Sequence, residues 1–302
     1  MPGCGHGRSG LPNGDDRLGG REQDIFGGRG GDVPVSVLAD LGSSRDLLTN
    51  LTLREIRSKY KRTALGQLWS LLNPIAQMAT YSVVFSFLLR AQPDKGSPSG
   101  LDVFALWLSA GLLPWLFFSN AVTTGMGSLV SNANLIKKVY FPREALVVAN
   151  TLSWLFTFSI EMAVLVVAIL IFGGSPLLYL PATVFFMLVL AVFALGVSFL
   201  LAIANVYFRD TQHFVAIAMQ VWFYATPIVY PISIVADKHH QLLALYRVNP
   251  LERFGEVFRD TMYNGRWPSW SNTVYTVLVS ACVLVVGYVV FKRYEGRLAE
   301  EL

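Results

Sequence analysis

The sequence predicts an all-α membrane protein with six transmembrane helices, and three observations support this fold class. The 302-residue chain is 53% hydrophobic but only 15% charged, whereas ordinary soluble domains carry about 25% charged residues. Six apolar runs each approach the roughly 20 residues that a helix needs to cross a bilayer. Basic residues gather in alternate loops, as the positive-inside rule describes. We attribute the net charge of +4 to membrane orientation, because no clustered basic face predicts nucleic-acid binding.

The N-terminal segment, residues 1–44, is predicted to be a disordered cytoplasmic tail. It is rich in glycine and arginine and cannot bury enough apolar surface to offset the entropy of ordering. Residues 1–35 contain no apolar core of a signal peptide. We therefore expect the first spanning helix to direct membrane insertion.

A basic amphipathic helix is predicted over residues 52–64. Leu53, Ile56 and Tyr60 fall on one stripe at helical spacing, while arginine and lysine residues crowd the remaining surface. This pattern is typical of a helix that lies in the membrane interface; a solvated helix beside the membrane is the alternative. The candidate interface residues are Arg54, Arg57, Lys59 and Tyr60.

The six predicted spans cover residues 69–89, 103–123, 145–172, 178–204, 214–230 and 274–291. The fifth is short and contains Pro227. If all six runs cross the membrane, most of the loop lysines and arginines lie on one side. The positive-inside rule then places both termini in the cytoplasm.

A polar stretch at residues 132–144 separates the second and third spans. Its apolar residues fall at helical spacing, and two lysines lie on the other side of the same short helix. It is either a cytoplasmic loop whose lysines fix orientation or a docking helix for a soluble partner. The candidate docking residues are Asn134, Leu135, Ile136, Lys137, Lys138, Val139 and Tyr140.

The loop at residues 232–265 is predicted to form two re-entrant helices on the external side, before the last span. It mixes apolar and charged residues at helical spacing, and Asn249-Pro250 divides it. Each half is too short and too charged to cross a membrane alone. We expect its charges to face protein or water, because charge exposed to lipid is costly.

Few residues suggest chemistry. The chain has no Walker A motif, so we expect no nucleotide site in it. It has no metalloprotease histidine pair and no CxxC motif, so we expect no cofactor or metal site either. Cys4 and Cys282 are not expected to form a disulfide. Glu161 is the one ionisable residue well inside a predicted span, so it is either a proton-coupling site or a carboxyl hydrogen-bonded between helices.

Aromatic residues are dense in and around the first, second and fifth spans. Aromatic faces stack on the apolar faces of sugar rings, so such residues suit a carbohydrate conduit. Packing in the core or an interfacial aromatic belt is the alternative. The candidate conduit residues are Tyr81, Phe85, Trp222, Phe223 and Tyr224.

Several of these motifs together resemble the type-2 ABC exporter permeases. The most specific is the stretch NLIKKVYFPRE at residues 134–144. Further matches are YKRTALG at residues 60–66, YFRD at 207–210, PIVYP at 227–231 and Asn249-Pro250. The resemblance covers about residues 45–302. Within the family it is greatest to permeases that export lipid-linked polysaccharides such as O-antigen, teichoic acid or galactan.

The resemblance implies roles for several segments. Residues 132–140 would be the coupling helix that enters a groove of a separate ATPase subunit, which binds ATP and Mg²⁺. Residues 52–64 would be the interface helix, and residues 232–265 the paired helices at the external mouth. Two copies of this chain and two ATPase chains would form one exporter in a bacterial plasma membrane.

The sequence therefore indicates a non-enzymatic permease for a polyprenyl-diphosphate glycan, with Arg54, Arg57 and Lys59 attracting the diphosphate. One alternative is an ABC exporter of drugs or simple lipids. Another is a membrane-embedded glycosyltransferase or acyltransferase, for which Glu252 and Asp260 are the candidate acid/base pair. A third is a proton-coupled carrier that uses Glu161.

Overall fold

The computed structural model describes residues 45–301, apart from residues 60, 62, 64, 82, 85–94, 139–140 and 231–245. In the part of the chain that it describes, the fold is helical and has no β-strand. The predicted all-α class is therefore confirmed. The predicted tail at residues 1–44 lies outside the described residues.

Ten α-helices are described, and we number them in chain order. They are α1 (Arg45–Lys59), α2 (Trp69–Tyr81), α3 (Phe104–Ser131), α4 (Ala133–Lys138), α5 (Glu144–Ile171), α6 (Leu180–Tyr207), α7 (Thr211–Tyr224), α8 (Pro250–Phe258), α9 (Trp270–Glu295) and α10 (Leu298–Glu301). Short 3-10 turns precede α2 and α6, and a π-helical turn, Arg259–Asn264, follows α8.

Among the described residues, four helices are long and apolar enough to cross a membrane. They are α3, α5, α9 and the continuous segment Pro176–Tyr207, which contains α6. Helix α3 coincides with the second predicted span, α5 with the third, Pro176–Tyr207 with the fourth and α9 with the sixth. The prediction of long apolar helices is confirmed at these four places.

The first and fifth predicted spans are shorter in the described structure. Helix α2 has 13 described residues, and most of the remainder of its apolar run lies outside the described part of the chain. Helix α7 has 14 residues and ends at Tyr224, which corresponds to a rise of about 21 Å. A bilayer core is about 30 Å thick. A count of six spans therefore remains a prediction.

Helix α3 forms the centre of the bundle and contacts α5, α6, α7 and α8. Its aromatic side chains stack on those of neighbouring helices. Phe117 stacks on Phe158 of α5 with ring centroids 4.8 Å apart, and Phe118 stacks on Phe193 of α6 at 5.3 Å. All four rings are at least 97% buried, so the core is built around α3.

Helices α6 and α9 approach so closely that two glycines meet at their crossing. A Cβ atom added to Gly196 would lie 2.6 Å from the backbone nitrogen of Leu284, and one added to Gly287 would overlap the carbonyl of Gly196. Small residues at such a crossing let two backbones pack closely inside a membrane.

Helix α1 differs from the predicted interface helix in its bounds and in the placement of Lys59. It begins at Arg45 and ends at Lys59. Leu53, on the predicted apolar stripe, is 40% exposed and so remains available to lipid, while Leu51 is 6% exposed and packs against the bundle. Lys59 also lies on the inner side, where it contacts α5. The predicted placement of Lys59 on the outer surface of α1 is therefore wrong, because its ammonium group has partners inside the bundle. The position of the apolar stripe in the membrane interface stays a prediction.

The chain is interrupted at Asn249, as predicted. The side chain of Asn249 accepts a hydrogen bond from the backbone N–H of Leu251 at 3.1 Å, and Pro250 begins α8. This is the usual chemistry of a helix N-terminus. The pairing of two re-entrant helices stays a prediction, because residues 231–245 lie outside the described residues.

Candidate functional site

One end of the bundle, which we call the basic end, brings together α4, the start of α5 and the last turns of α9. Helix α4 follows α3 almost directly, and the carbonyl of Asn132 accepts hydrogen bonds from the N–H groups of Leu135 and Ile136 at 2.9 and 3.1 Å. Ile136 is 6% exposed and packs into the bundle. Lys137 and Lys138 are exposed, as the sequence predicts.

The predicted docking residues are therefore divided between two sides of α4. Asn134 is exposed together with the two lysines, while Leu135 is partly buried beside Ile136. Val139 and Tyr140 lie outside the described residues. The side of α4 that a partner protein can reach is polar and basic.

Asn132 connects α4 to α1. Its side-chain oxygen accepts a hydrogen bond of 2.8 Å from the guanidinium group of Arg54, and its side-chain N–H donates to the carbonyl of Ser128 at 2.9 Å. Arg54 also forms an ion pair with Glu55 at 2.9 Å. A displacement of α4 would therefore act on α1 through one short polar contact.

A second polar network connects the start of α5 to α9. The ammonium group of Lys292 lies 2.6 Å from a carboxylate oxygen of Glu144 and 3.0 Å from Glu295. The guanidinium group of Arg143 donates to the backbone carbonyl of Glu295. Glu144 is only 4% exposed, so it depends on Lys292 as the partner of a buried charge.

A polar pocket of about 320 Å³ lies between α1, α2, α3 and α5. It is lined by Lys59, Ser70, Asn73, Gln77, Leu116, Asn120, Trp154, Thr157 and Glu161. Thr157 lies about 20 Å along α5 from its first residue, Glu144. The pocket is therefore well inside the length of a helix that is predicted to span the membrane.

Lys59 provides the positive charge of this pocket. Its ammonium group lies 3.5 Å from the centroid of the Trp154 ring and donates to the hydroxyl of Thr157 at 3.4 Å. The pKa of Lys59 is lowered to about 7. Burial is the main cause, and the carboxylates of Glu161 and Glu55 act in the opposite direction. The cation is thus poorly hydrated and is stabilised by an aromatic face and nearby carboxylates.

Glu161 faces the same pocket as Lys59. The sequence shows no charged partner for Glu161 within its own span, but the fold supplies one from α1. Sequence analysis missed this pair because the two residues are distant along the chain and because Lys59 was assigned to the solvated surface. It also missed the amides of Asn73, Gln77 and Asn120, since an amide in an apolar run carries no motif.

The aromatic residues predicted to line a conduit occupy different environments. Trp222 and Phe223 pack against Trp115, with ring centroids 6.3 and 5.6 Å apart. The indole N–H of Trp222 donates to the side-chain oxygen of Asn249 at 2.9 Å. Both residues therefore connect α7 to the bundle core.

The other three aromatic candidates differ from this pair. Tyr224 lies edge-on to Phe223, with ring centroids 5.2 Å apart, but is 66% exposed on α7. Tyr81 is partly buried against the core. Phe85 lies outside the residues that the structure describes.

The two carboxyl groups of the glycosyltransferase alternative are not brought together. They are eight residues apart in sequence, which corresponds to a rise of about 12 Å along a helix. Asp260 pairs with Arg266 at 2.7 Å, whereas Glu252 lies 3.6 Å from Arg253. Glu252 is 2% exposed, and burial, together with the Glu256 carboxylate, raises its pKa to about 8. This arrangement is not that of an acid/base pair open to substrate.

Comparison with known proteins identifies the family to which the chain is similar. Residues 46–263 match the ABC-2 type transporter family. The chain is 28% identical to the O-antigen export system permease protein of Myxococcus xanthus, over 89% of this chain and 100% of that protein. It is 29% identical to the protein of the same description from Klebsiella pneumoniae, with the same coverage. It is 22% identical to the polysialic acid transport protein of Escherichia coli, over 81% of this chain and 92% of that protein.

The family match extends over most of the chain, so the chain belongs to the ABC-2 type transporter family. The resemblance inferred from the residues is confirmed at the level of the family. The relatives also fit the predicted group of polysaccharide exporters.

Proposed function

We propose that this chain is the membrane subunit of an ATP-driven exporter that moves a lipid-linked polysaccharide across the bacterial plasma membrane. The observation that carries this proposal is the similarity, over nearly the full length, to permeases of O-antigen export and to a polysialic acid transport protein. The sequence has no Walker A motif. ATP and Mg²⁺ would therefore bind to a separate ATPase subunit, and both termini of this chain would lie on its side, in the cytoplasm.

Helix α4 would dock on that ATPase through the side formed by Asn134, Lys137 and Lys138. These residues are exposed, whereas Ile136 packs against its own chain. Two adjacent lysines favour a groove of the partner that carries acidic residues. Val139 and Tyr140 would extend the same contact.

Two polar connections would transmit movement of α4 into the membrane part. The contact between Asn132 and Arg54 leads to α1, and the pair formed by Glu144 and Lys292 connects the adjoining start of α5 to α9. ATP binding would close the two ATPase chains and displace α4, and the spans of one copy would then rotate against those of the other copy.

Two copies of this chain would enclose the conduit, and α7 would form part of its wall. Within the described residues, α7 is buried mainly at Val215 and Met219. It exposes the polar Gln212, His213 and Gln220 and the apolar Phe214, Ile217 and Val221, as well as Tyr224. Exposed amide and imidazole groups are unfavourable against lipid but suit a surface wetted by water or sugar.

Arg57 would attract the diphosphate of the lipid carrier. It is exposed on α1, and no residue that the structure describes pairs with it. Arg54 and Lys59, the other cations predicted for this role, already have partners in Asn132 and in the pocket. A free guanidinium group is well suited to bind phosphate oxygens.

The proposal is tested with the complex of this chain and its ATPase, purified into lipid nanodiscs. The ATPase rate should rise when the polyprenyl-diphosphate-linked glycan of the source cell is added, and amphipathic drugs or simple phospholipids should not raise it. A rate that responds to the drugs and not to the glycan would contradict the proposal and favour an exporter of drugs or simple lipids.

A further inference from the structure

The pocket between α1, α2, α3 and α5 contains more hydrogen-bonding capacity than the protein uses. The side-chain amides of Asn73, Gln77 and Asn120 form no hydrogen bond with any residue that the structure describes. The carboxylate of Glu161 likewise accepts no hydrogen bond from the described part of the chain. Four polar groups on three helices therefore face one cavity without protein partners.

A ligand in the cavity can reach these groups. Asn73 is exposed, and Gln77, Asn120 and Glu161 are half-buried, so their amide and carboxylate atoms are open to hydrogen bonds from a bound molecule. The cavity volume of about 320 Å³ is at the lower end of the range for small-molecule sites. The cavity suits one compact polar ligand and is too small for a length of polymer.

A lipid-linked glycan has two polar parts, the diphosphate and the sugar, and the charges of the pocket favour the sugar. The cation that lines it, Lys59, lies against Trp154 and near the carboxylate of Glu161. The Lys59 and Glu161 charges cancel when both groups are ionised, so a diphosphate entering the pocket would face a carboxylate. Amides and a carboxylate instead match sugar hydroxyls, each of which can both donate and accept hydrogen bonds.

We propose that this pocket binds the sugar unit next to the diphosphate, with Asn73, Gln77, Asn120 and Glu161 bonding its hydroxyl groups. This inference rests on the proposed function and adds a specificity site to it. The diphosphate stays outside, near Arg57, which is two residues before Lys59 on α1. Helix α1 thus provides both the phosphate contact, Arg57, and one side of the sugar site, Lys59.

The test uses the nanodisc complex of this chain with its ATPase and two probes. One probe is the lipid-linked glycan purified from the source cell, and the other is undecaprenyl diphosphate without sugar. Replacing Gln77 by Met and Asn120 by Leu together keeps the side-chain sizes but removes two amides. The concentration of glycan that half-saturates the ATPase response should rise about tenfold, while the response to undecaprenyl diphosphate should not change.

A matched control is Asn50→Leu, which removes an exposed amide of α1 outside the pocket and should alter neither response. Glu161→Gln supplies a second discriminating measurement, because it removes the negative charge but keeps the size. It should weaken the response to glycan and leave the response to undecaprenyl diphosphate unchanged. A stronger response of this variant to undecaprenyl diphosphate would overturn the inference and assign the pocket to the diphosphate.

An equal loss of response to both probes in the double variant would also overturn the inference, and so would an unchanged response to glycan. These outcomes leave the proposed function intact, because the wild-type complex still responds to glycan. A wild-type complex that responds to neither probe would overturn the proposed function and this inference together.

Discussion

A chain in which Lys137 and Lys138 are both replaced by glutamate is expected to insert and fold but to lose export by at least tenfold. Both side chains are exposed on α4, and the buried residue of that helix, Ile136, is untouched. The change reverses the charge offered to the ATPase, and like charges facing each other across an interface cost several kcal/mol. Each 1.4 kcal/mol corresponds to about a tenfold change in binding.

The measurement is ATP-dependent glycan export together with retention of the ATPase during purification. The matched control is the double change Arg209→Glu and Arg293→Glu. It alters the net charge by the same amount, and both residues are exposed outside α4. The control should keep most of its export. Equal loss in both variants would show that overall charge matters and that α4 has no special role.

Replacing Gly196 by valine is expected to destabilise the fold strongly. Its added Cβ would lie 2.6 Å from the backbone nitrogen of Leu284 and 2.7 Å from the Cα of the same residue. Backbone atoms cannot rotate away as a side chain does, so α6 and α9 would have to separate. Overpacking in a core costs about 1–3 kcal/mol, and we expect the upper end of that range or more because the clash is with backbone.

Gly127→Val is the matched control, because a Cβ at Gly127 of α3 would have no atom within 4 Å. The measurements are the yield of monodisperse protein in detergent and the midpoint of thermal unfolding. Gly196→Val should lower both sharply, and Gly127→Val should lower neither by much. Similar behaviour of the two variants would mean that the close crossing of α6 and α9 is not required.

Periodicity and hydropathy were enough to predict the long helices and to place the apolar residues of α4 and its lysines on different sides. These features depend on local sequence, since apolar runs of sufficient length form helices in a membrane. The break at Asn249 was predictable for the same reason, because a capping asparagine followed by proline acts on its own helix. The family followed from short motifs in the correct order.

The candidate pocket could not be predicted from local patterns. The charge of Lys59 predicts a place on the outer surface. In the fold its ammonium group is stabilised by the Trp154 ring and the nearby Glu161 carboxylate, which lie about a hundred residues later in the chain. The partnership of Glu144 with Lys292 has the same origin, because α5 and α9 meet only in the folded bundle. Contacts of this kind form when separate helices pack together, so the residue spacing within one helix does not predict them.

The central claim is that this chain moves its cargo only when a separate ATPase drives it. The direct measurement places the purified chain in liposomes, with or without that ATPase, and follows the transfer of lipid-linked glycan into a compartment protected from added glycosidase. Sustained transfer should require both the ATPase and hydrolysable ATP, and should persist when the proton gradient is collapsed. Uphill transfer by the chain alone, or transfer driven by a proton gradient without ATP, would contradict the claim.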